Sequence, residues 1–385
     1  MMDVAAGKRD YRLDFFRGGA LFFIFIDHVP GNFLSNFTLQ AYSLCDAAEV
    51  FIFISGYTAA LVYSRASERE GTLMASARIW RRVWQLYLAH LCLFMIYNAE
   101  VSYTVLRFNN PLFIDELQVG AFLDEPAQAV MRVLLLQFQP TFLDILPLYI
   151  ALLLIFPLVL WALRRSLWAA LIPSVLLYAV VRWTGFNLTG YPDDQGWTFN
   201  PLAWQLLFVI GAAFGYGNGM RQPVLPKHPE WLGTWLLRLA ATVAIAGFVI
   251  KLSWTLHENF NAVPTLLTHV LWPIDKGSLP LVRLANVLAL AYLTSRLIGR
   301  NAAFFRSRVG WLVVLCGQNS LQVFCLSILL SVLGNVAYTV LGDGLGFQTL
   351  VNAAGVGLLL GFGLLLAWYS GGGQLPRPAA AVAPG

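Results

Sequence analysis

Charged residues are scarce in this sequence of 385 residues: aspartate, glutamate, lysine and arginine together form 12% of it, whereas hydrophobic residues form 58%. Soluble domains carry about 25% charged residues, so the composition excludes a soluble multidomain protein. Nucleic-acid binding is not indicated by the formal net charge of +5, because the basic residues stand in short clusters between apolar segments. The composition therefore predicts a polytopic membrane protein.

Cysteine is also rare, and the four cysteines form no CxxC pair: Cys45, Cys92, Cys316 and Cys325. Neither a disulfide framework nor a metal site is indicated. Three histidines likewise lack ligand spacing: His90, His257 and His269. No small-residue cleavage site follows the first apolar stretch, so we expect that stretch to be retained. No internal repeat is visible.

Long apolar segments are what the sequence has instead, and each is near the length that crosses a bilayer. They lie at 13–30, 47–64, 83–104, 143–163, 166–184, 200–217, 233–254, 279–298, 309–333 and 349–369. We therefore predict an all-α integral membrane protein of about ten transmembrane helices. Residues 1–370 are predicted to form a single transmembrane domain, and the low-complexity segment 371–385 a disordered cytoplasmic tail.

The basic residues divide unevenly between the two sides of such a protein. If the N-terminus is cytoplasmic, nineteen of the 25 lysines and arginines fall on the inner side. The outer side keeps Arg107, Arg132, Arg182, Lys251, Lys276 and Arg283. Because cytoplasmic loops carry an excess of Lys and Arg, this division predicts that both termini are cytoplasmic.

The first predicted helix carries an unusual set of ionisable residues: Asp14, Arg17, Asp27 and His28. Such side chains are costly at membrane depth unless they face a partner or a wet cavity. At about 100° per residue, Arg17 and His28 lie within roughly 20° of each other, and Asp14 lies roughly 60° from Arg17. A rise of about 1.5 Å per residue separates Arg17 from His28 by roughly 16 Å. The two side chains are therefore predicted to serve opposite ends of a long site.

The second predicted helix supplies a possible partner for the first. Glu49 lies in its first outer turn, at a depth similar to that of His28, whereas Asp14 is roughly 21 Å away along the first helix. Glu49, Phe53 and Gly56 share one helical face, and the small residue there lets a neighbouring helix approach closely. We predict that Glu49 orients the imidazole of His28.

The outer connections are long and rich in residues that suit a polar ligand. Segments 105–142, 185–199 and 255–278 fall here, and the apolar run 127–138 in the first suggests a short interfacial helix. The tryptophans of the last two segments and their edges are Trp183, Trp197, Trp254 and Trp272. Beside amides and acids they would suit a sugar ring; an aromatic belt at the lipid headgroups is the alternative interpretation.

Several segments together resemble the acyltransferase type 3 superfamily of membrane enzymes. They are the Arg17 and His28 pair with ten residues between them, FIFISGY after an acidic residue, RIWRRVWQLY at 78–87 and LDILPLYIALLLIFP at 143–157. The fuller segments RLDFFRGGALFFIFIDHVPGN, SLCDAAEVFIFISGY, NPLAWQLLFVIG and PIDKGSLPLVRL are similar to the OpgC family within it. The resemblance implies an enzyme of the bacterial inner membrane that succinylates osmoregulated periplasmic glucans.

The resemblance implies acyl-CoA as co-substrate, with no further cofactor and no metal, and a glucan as acceptor. Donor binding is then expected at Arg17, Asp14, Arg81 and Arg82, because arginine geometry suits phosphate. The catalytic set is expected to be His28, Glu49 and Asp27, with His28 as general base, since an unperturbed imidazole has a pKa of about 6.5. Ser55, Tyr57 and Tyr149 are candidates to position the acyl group. Acceptor contacts are expected at Asp144, Asp275, Lys276, Trp272 and Trp197.

Other interpretations of the same residues stay open. His28 taken alone fits a satisfied packing group, Arg81 and Arg82 fit topology anchors, and Asp144 fits a helix cap. Asp275 and Lys276 fit an interfacial ion pair. A transporter using the charges of the first helix as a relay would show inverted repeats and broken helices, and the sequence displays neither. A non-catalytic scaffold, an acetyl donor and another surface glycan or peptidoglycan sugar also remain, and the oligomeric state is open.

Overall fold

The computed structural model describes residues 10–108, 112–192, 196–220, 229–259, 274–300 and 302–374. In these residues the chain forms α-helices and two short 3₁₀ helices, and no strand. The all-α prediction is therefore confirmed for this part of the chain. The predicted acceptor residue Trp272 lies outside the described residues. Most of the predicted tail, His269 and the side chain of His257 also lie outside them.

The first half of the described chain contains nine helices. They are α1 (Tyr11–Asp27), α2 (Leu39–Tyr42), α3 (Ala47–Glu70), α4 (Thr72–Phe108), α5 (Leu112–Glu116), α6 (Gly120–Asp124), α7 (Pro126–Leu134), α8 (Ile145–Arg165) and α9 (Leu167–Thr184). The second half adds α10 (Pro201–Gly219), α11 (Glu230–Asn259), α12 (Leu281–Leu297), α13 (Arg308–Gln318), α14 (Ser320–Leu341) and α15 (Leu345–Ser370). Every predicted apolar segment coincides with one or two of these helices.

Six of the described helices are long and apolar enough to cross a membrane. They are Ala47–Glu70, Ile145–Arg165, Leu167–Thr184, Glu230–Trp254, Ser320–Leu341 and Leu345–Ser370. The chain is therefore a multi-pass membrane protein by the length and composition of its helices. The full set of ten spans and the cytoplasmic position of both termini stay predictions.

The prediction of one continuous span over 309–333 is wrong. Two helices, α13 and α14, occupy this segment, and they meet at Asn319, whose φ of −107° and ψ of 36° are not helical. The Asn319 side chain donates a hydrogen bond of 2.9 Å to the carbonyl of Leu315. Asparagine side chains compete with the backbone for such local bonds, so an asparagine is a common residue at a helix interruption.

The region predicted to hold a short interfacial helix is helical. Helix α7 (Pro126–Leu134) covers most of the predicted run 127–138, and Pro126 occupies its first turn, where a missing N–H costs little. The residues Ala129 and Val133 on its inner face pack with Phe94 of α4 and with Phe138. The membrane-surface position of this helix stays a prediction.

The chain divides into two compact units. The smaller unit comprises Met1–Thr38 and Ala291–Gly385, and the larger comprises Leu39–Leu290. The prediction of one domain over 1–370 depends on how these units join, and it stays a prediction.

In the smaller unit, α1 packs against α13 through glycine. A Cβ atom placed on Gly18 would lie 2.1 Å from the Val313 carbonyl oxygen, and one on Gly317 would lie 1.8 Å from the Asp14 carbonyl oxygen. Both distances are far below van der Waals contact, so the two backbones can approach only where side chains are absent. This close contact buries the Asp14 turn of α1.

In the larger unit, α3 packs against α10 by the same device. Cβ atoms on Gly56, Gly211 and Gly215 would lie 2.1, 2.3 and 1.9 Å from backbone oxygens of the opposite helix. The prediction that Gly56 admits a close neighbour is confirmed, and that neighbour includes Phe208 of α10. The contact fixes the direction of α3, and with it the position of Glu49 at the start of that helix.

Candidate functional site

Helix α1 carries the predicted donor anchor near its N-terminal end. Asp14 lies in its first turn and is buried, whereas Arg17, one turn later, is half-buried. The helix runs without interruption from Tyr11 to Asp27, so Arg17 and Asp14 stand near one end and Asp27 at the other. The predicted separation of Arg17 and His28 along one helix is therefore consistent with the structure of α1.

His28 occupies the position that ends α1. Its backbone N–H donates to the Ile24 carbonyl at 3.1 Å, and its side chain is half-buried. The preceding Asp27 accepts a hydrogen bond of 2.7 Å from the Thr38 hydroxyl, in the segment that follows the helix. The ring of His28 is thus carried on a short, hydrogen-bonded segment rather than inside the helix body.

A cluster of four charged side chains lies at the start of α3 and is made by Asp46, Glu49, Lys276 and Arg283. Asp46 Oδ2 contacts Lys276 Nζ at 2.7 Å and Arg283 Nη2 at 3.1 Å. Glu49 Oε1 accepts from Arg283 Nε at 2.5 Å. The Glu49 residue is fully buried, and the Lys276 side chain is 40% exposed. We call these four residues the outer charge cluster, after the predicted outer side of the membrane.

The local sequence explains why the two acids of the outer charge cluster face each other. Asp46 precedes α3 and accepts from the Ala48 N–H at 2.8 Å, while Glu49 Oε2 accepts from the Asp46 N–H at 2.9 Å. This reciprocal arrangement is a capping box, and the spacing Asp46-Ala-Ala-Glu49 before an apolar run is its signature. Burial raises the pKa of the Asp46 carboxyl, but Lys276 and Arg283 outweigh burial and hold it well below its usual range.

Both carboxylate oxygens of Glu49 are therefore engaged inside the larger unit. The predicted pairing of Glu49 with His28 would join residues of the two units, and it stays a prediction. Arg283 and Asp46 are the members of the cluster that the sequence argument did not select, although both lie in segments that carry the family resemblance. The capping-box spacing was the available signal for Asp46; no local pattern marks Arg283.

Asp144 belongs to the same neighbourhood. It directly precedes α8, where its side chain does not cap the helix, so the simpler interpretation as an N-cap finds no support. Burial raises the pKa of Asp144 to about 6, while the charge of Lys276 acts in the opposite direction and Asp46 adds to the rise. Asp144 is thus a carboxyl with a raised pKa beside the outer charge cluster.

The alternative interpretation of Asp275 and Lys276 as an ion pair finds no support, because the two side chains have different partners, and their role as acceptor contacts stays a prediction. Lys276 pairs with Asp46, whereas the Asp275 carboxylate accepts from the backbone N–H of Gly277 at 2.8 Å and of Ser278 at 3.2 Å. The turn formed by residues 275–278 is held further by Trp204, whose Nε1 donates to the Gly277 carbonyl at 3.0 Å. Asp275 thus shapes the turn that delivers Lys276 to the cluster.

The predicted acyl-positioning residues lie in α3 and α8. Ser55 is buried, and the Tyr57 hydroxyl accepts from Asn218 Nδ2 at 2.6 Å. Tyr149 meets Phe51 edge-on, with ring centroids 6.3 Å apart. Phe51 is two residues beyond Glu49, so the two side chains leave α3 roughly 200° apart, and Tyr149 packs on the Phe51 side of the helix.

The predicted donor arginines Arg81 and Arg82 lie in the third turn of α4, which begins at Thr72. Arg81 is exposed, and Arg82 donates to Gln85 at 3.3 Å. Arg78, one turn before Arg82, pairs with Glu70 at 2.6 Å and so fastens the end of α3 to the start of α4. The two arginines therefore remain candidates for phosphate binding and for topology anchors.

Trp197 is buried rather than presented to a ligand. Its backbone N–H donates to the Leu188 carbonyl, and its own carbonyl accepts from Asn187 Nδ2 at 2.8 Å. The residue is 8% exposed, so the interpretation of its ring as a sugar-stacking surface has no support. Within the described part of the chain, no three His, Cys, Asp or Glu side chains are grouped to hold a metal ion.

Comparison with known proteins adds the family. No curated protein and no solved structure matches the chain. The family model described as OpgC protein matches residues 9–371, which cover most of both compact units and all four residues of the outer charge cluster. The match spans nearly the whole chain and indicates a glucan-modifying acyltransferase. The chain therefore belongs to the OpgC family.

Proposed function

We propose that this protein is an acyltransferase of the bacterial inner membrane that moves a succinyl group from cytoplasmic acyl-CoA to a hydroxyl of a periplasmic glucan. The family membership supports the acyl transfer and the glucan. Transfer from one side of the membrane to the other is supported by helix α1. This helix is uninterrupted, and Arg17 near its start and His28 at its end are eleven positions apart. A polar residue at each end suits a donor and an acceptor that approach from opposite sides.

In this proposal the imidazole of His28 acts as general base. It takes the proton of the acceptor hydroxyl while that oxygen attacks the thioester carbonyl carbon, so a C–O bond forms and the C–S bond breaks. The proton then passes from the imidazolium to the leaving thiolate, which departs as free CoA. The hydroxyl groups of Ser55, Tyr57 and Tyr149 are the candidate donors to the oxyanion that develops during attack.

The outer charge cluster and Asp144 supply the acceptor side. A sugar offers hydroxyl groups that donate to carboxylates and accept from ammonium groups. Lys276 is the exposed member of the cluster, and Asp144 interacts electrostatically with it. These two side chains support recognition of hydroxyl groups, whereas Glu49 and Arg283 form the buried part beneath them.

The direct test uses the purified protein in liposomes with radiolabelled succinyl-CoA, or with acetyl-CoA in parallel, and a periplasmic glucan as acceptor. We expect label in the glucan from succinyl-CoA in preference to acetyl-CoA. More label from acetyl-CoA than from succinyl-CoA would show that acetyl-CoA is the preferred donor and would contradict the succinyl assignment. Transport of the glucan or an anion without acyl transfer would favour the transporter interpretation. That interpretation expects broken helices, and the interruption at Asn319 is one.

Arg17→Ala is expected to raise the KM for succinyl-CoA far more than the KM for the glucan. The reason is that a guanidinium grips phosphate groups of the donor and not the acceptor. Steady-state kinetics with each substrate varied in turn provide the measurement. Arg296→Ala is the matched control, because Arg296 is an exposed basic residue in the last turn of α12. Equal rises of the two KM values in Arg17→Ala would contradict the separate donor and acceptor ends.

Asp144→Asn is expected to remove a pH dependence of the KM for the glucan. Since the pKa of Asp144 is raised to about 6, the carboxylate forms as the pH increases from 5 to 7, and it accepts hydroxyl hydrogen bonds more strongly when charged. The KM of the parent should therefore fall over this range, and that of the variant should stay flat. Asp124→Asn, which changes an exposed acid at the end of α6, should behave as the parent. An equal fall of the KM for the glucan with pH in Asp144→Asn and the parent would exclude Asp144 as the cause of the pH dependence.

A further inference from the structure

The end of α1 and the segment that follows it are held by buried side chains from α14 and α15. Asn32 and Asn352 exchange reciprocal side-chain hydrogen bonds: Asn32 Nδ2 donates to Asn352 Oδ1 at 2.9 Å, and Asn352 Nδ2 donates to Asn32 Oδ1 at 2.8 Å. Both residues are almost fully buried, at 3% and 2% exposure. They are separated by 320 positions in the sequence, so the pair ties the end of α1 to a distant helix of the same unit.

Two more side chains act here, Gln348 on the segment after α1 and Ser331 on the last turn of α1 itself. Gln348, in the first turn of α15, accepts from the Phe33 N–H at 2.8 Å and donates to the Asp343 carbonyl at 2.7 Å. Ser331 of α14 donates to the Phe25 carbonyl at 3.2 Å, and Asn32 Nδ2 also donates to the Ile26 carbonyl at 3.0 Å. The carbonyls of Phe25 and Ile26, near the end of α1, thus accept from side chains of specific partners.

Glycines let these helices come close enough to do this. A Cβ atom on Gly355 would lie 2.1 Å from the Phe25 ring, and one on Gly334 would lie 2.9 Å from a methyl group of Val29. Phe25 and Val29 flank His28 in the sequence, and both are buried. Contacts on either side of His28, together with the amide pair after it, leave its backbone little freedom.

A polar pair is a demanding way to hold two helices together. Apolar side chains of similar volume would pack here without needing a partner, whereas two buried amides must find each other or leave donors and acceptors unsatisfied. Such a pair therefore specifies one register of α1 against α15 rather than adding stability. Buried asparagines in other helix assemblies fix the register of the helices in this way.

We propose that Asn32, Asn352 and Gln348 are positioning residues for His28, and that they fix the direction of its imidazole for acyl transfer. The inference rests on the proposed function, because it needs His28 to be the base. In this proposal none of the three residues touches the acyl donor or the acceptor. They act through the short segment from Asp27 to Phe33. Asn32 belongs to this segment, and Asn352 and Gln348 form hydrogen bonds with it.

The test compares Asn352→Ala in two backgrounds, the parent protein and His28→Ala, with kcat and the KM for succinyl-CoA measured in liposomes. In the parent background we expect kcat to fall roughly 10- to 100-fold with the KM for succinyl-CoA unchanged, because misplacement of a reacting group by about 1 Å has an effect of this size. In the His28→Ala background we expect Asn352→Ala to leave the residual rate unchanged, since there is no imidazole left to direct.

Gln348→Leu reaches the same segment through a different bond, so it repeats the comparison if Asn352→Ala does not fold. Thr349→Val is the matched control, because Thr349 lies on the same helix, is exposed and bonds only its own Leu345 carbonyl at 2.8 Å. Equal falls of kcat in both backgrounds would overturn the proposal by showing a general structural effect, as would an unchanged kcat in the parent background. Full transfer by His28→Ala alone would instead remove the proposed base, and so separates failure of the function from failure of the positioning.

Discussion

His28→Ala is expected to lower the rate of acyl transfer by on the order of 10²- to 10⁴-fold, the range that a positioned general base typically contributes. The variant loses the group that takes the proton of the acceptor hydroxyl, but it keeps the donor end of α1. The KM for succinyl-CoA should therefore stay close to that of the parent. Transfer of radiolabelled succinyl groups to glucan, measured in liposomes of equal protein content, checks both quantities.

The control for this variant is Asn36→Ala, which alters an exposed residue in the same connecting segment. Its side chain bonds only the Phe33 carbonyl, at 3.1 Å, so its loss should leave kcat unchanged. Retention of full transfer by His28→Ala would remove His28 as the base. Loss of transfer in Asn36→Ala to the same extent would show that the segment, rather than the imidazole, is sensitive.

Arg283→Leu is expected to cause the largest loss of stability, about 3–5 kcal/mol in the free energy of unfolding. The variant leaves the Glu49 carboxylate, which is fully buried, without the guanidinium that contacts it at 2.5 Å. An uncompensated buried charge is costly because the protein interior solvates it poorly. Denaturant titration of the purified protein in detergent, followed by tryptophan fluorescence, provides the measurement.

The double variant Glu49→Leu with Arg283→Leu tests the cause of that loss. Removing both charges should recover much of the stability, because replacement of a buried ion pair by apolar groups is often neutral. Arg107→Leu, which removes an exposed arginine at the end of α4, should change the free energy of unfolding by no more than about 0.5 kcal/mol. Equal stability of Arg283→Leu and the parent would contradict the pairing seen in the structure.

Helix positions could be read from the sequence because they depend on local hydrophobicity. The segment after Asp46, for example, has the cap residue Asp46 before it and the apolar run from Val50 to Ile54 within it, and α3 begins at Ala47. The interruption at Asn319 was not predicted, since the flanking segment 309–333 is apolar enough to suggest one span. The non-helical backbone at Asn319 lies inside an apolar run, and hydropathy does not record it.

The candidate site shows the same division between local and distant information. Asp46 and Glu49 are three residues apart, and the capping-box spacing predicts that their side chains face each other. The pairing of Glu49 with Arg283 joins positions 234 residues apart, so no periodicity or spacing indicates it. Lys276 was selected as an acceptor contact from its outer loop, but its partner Asp46 became visible only in the folded chain.

The central claim is that the acyl group crosses the bilayer within this protein, and a sidedness assay tests it most directly. Proteoliposomes would hold radiolabelled succinyl-CoA in the lumen and glucan only outside, with a parallel sample in which donor and acceptor share one compartment. We predict that label reaches the external glucan through the parent protein and not through His28→Ala. Label that reaches the glucan only when both substrates share one compartment would contradict the claim.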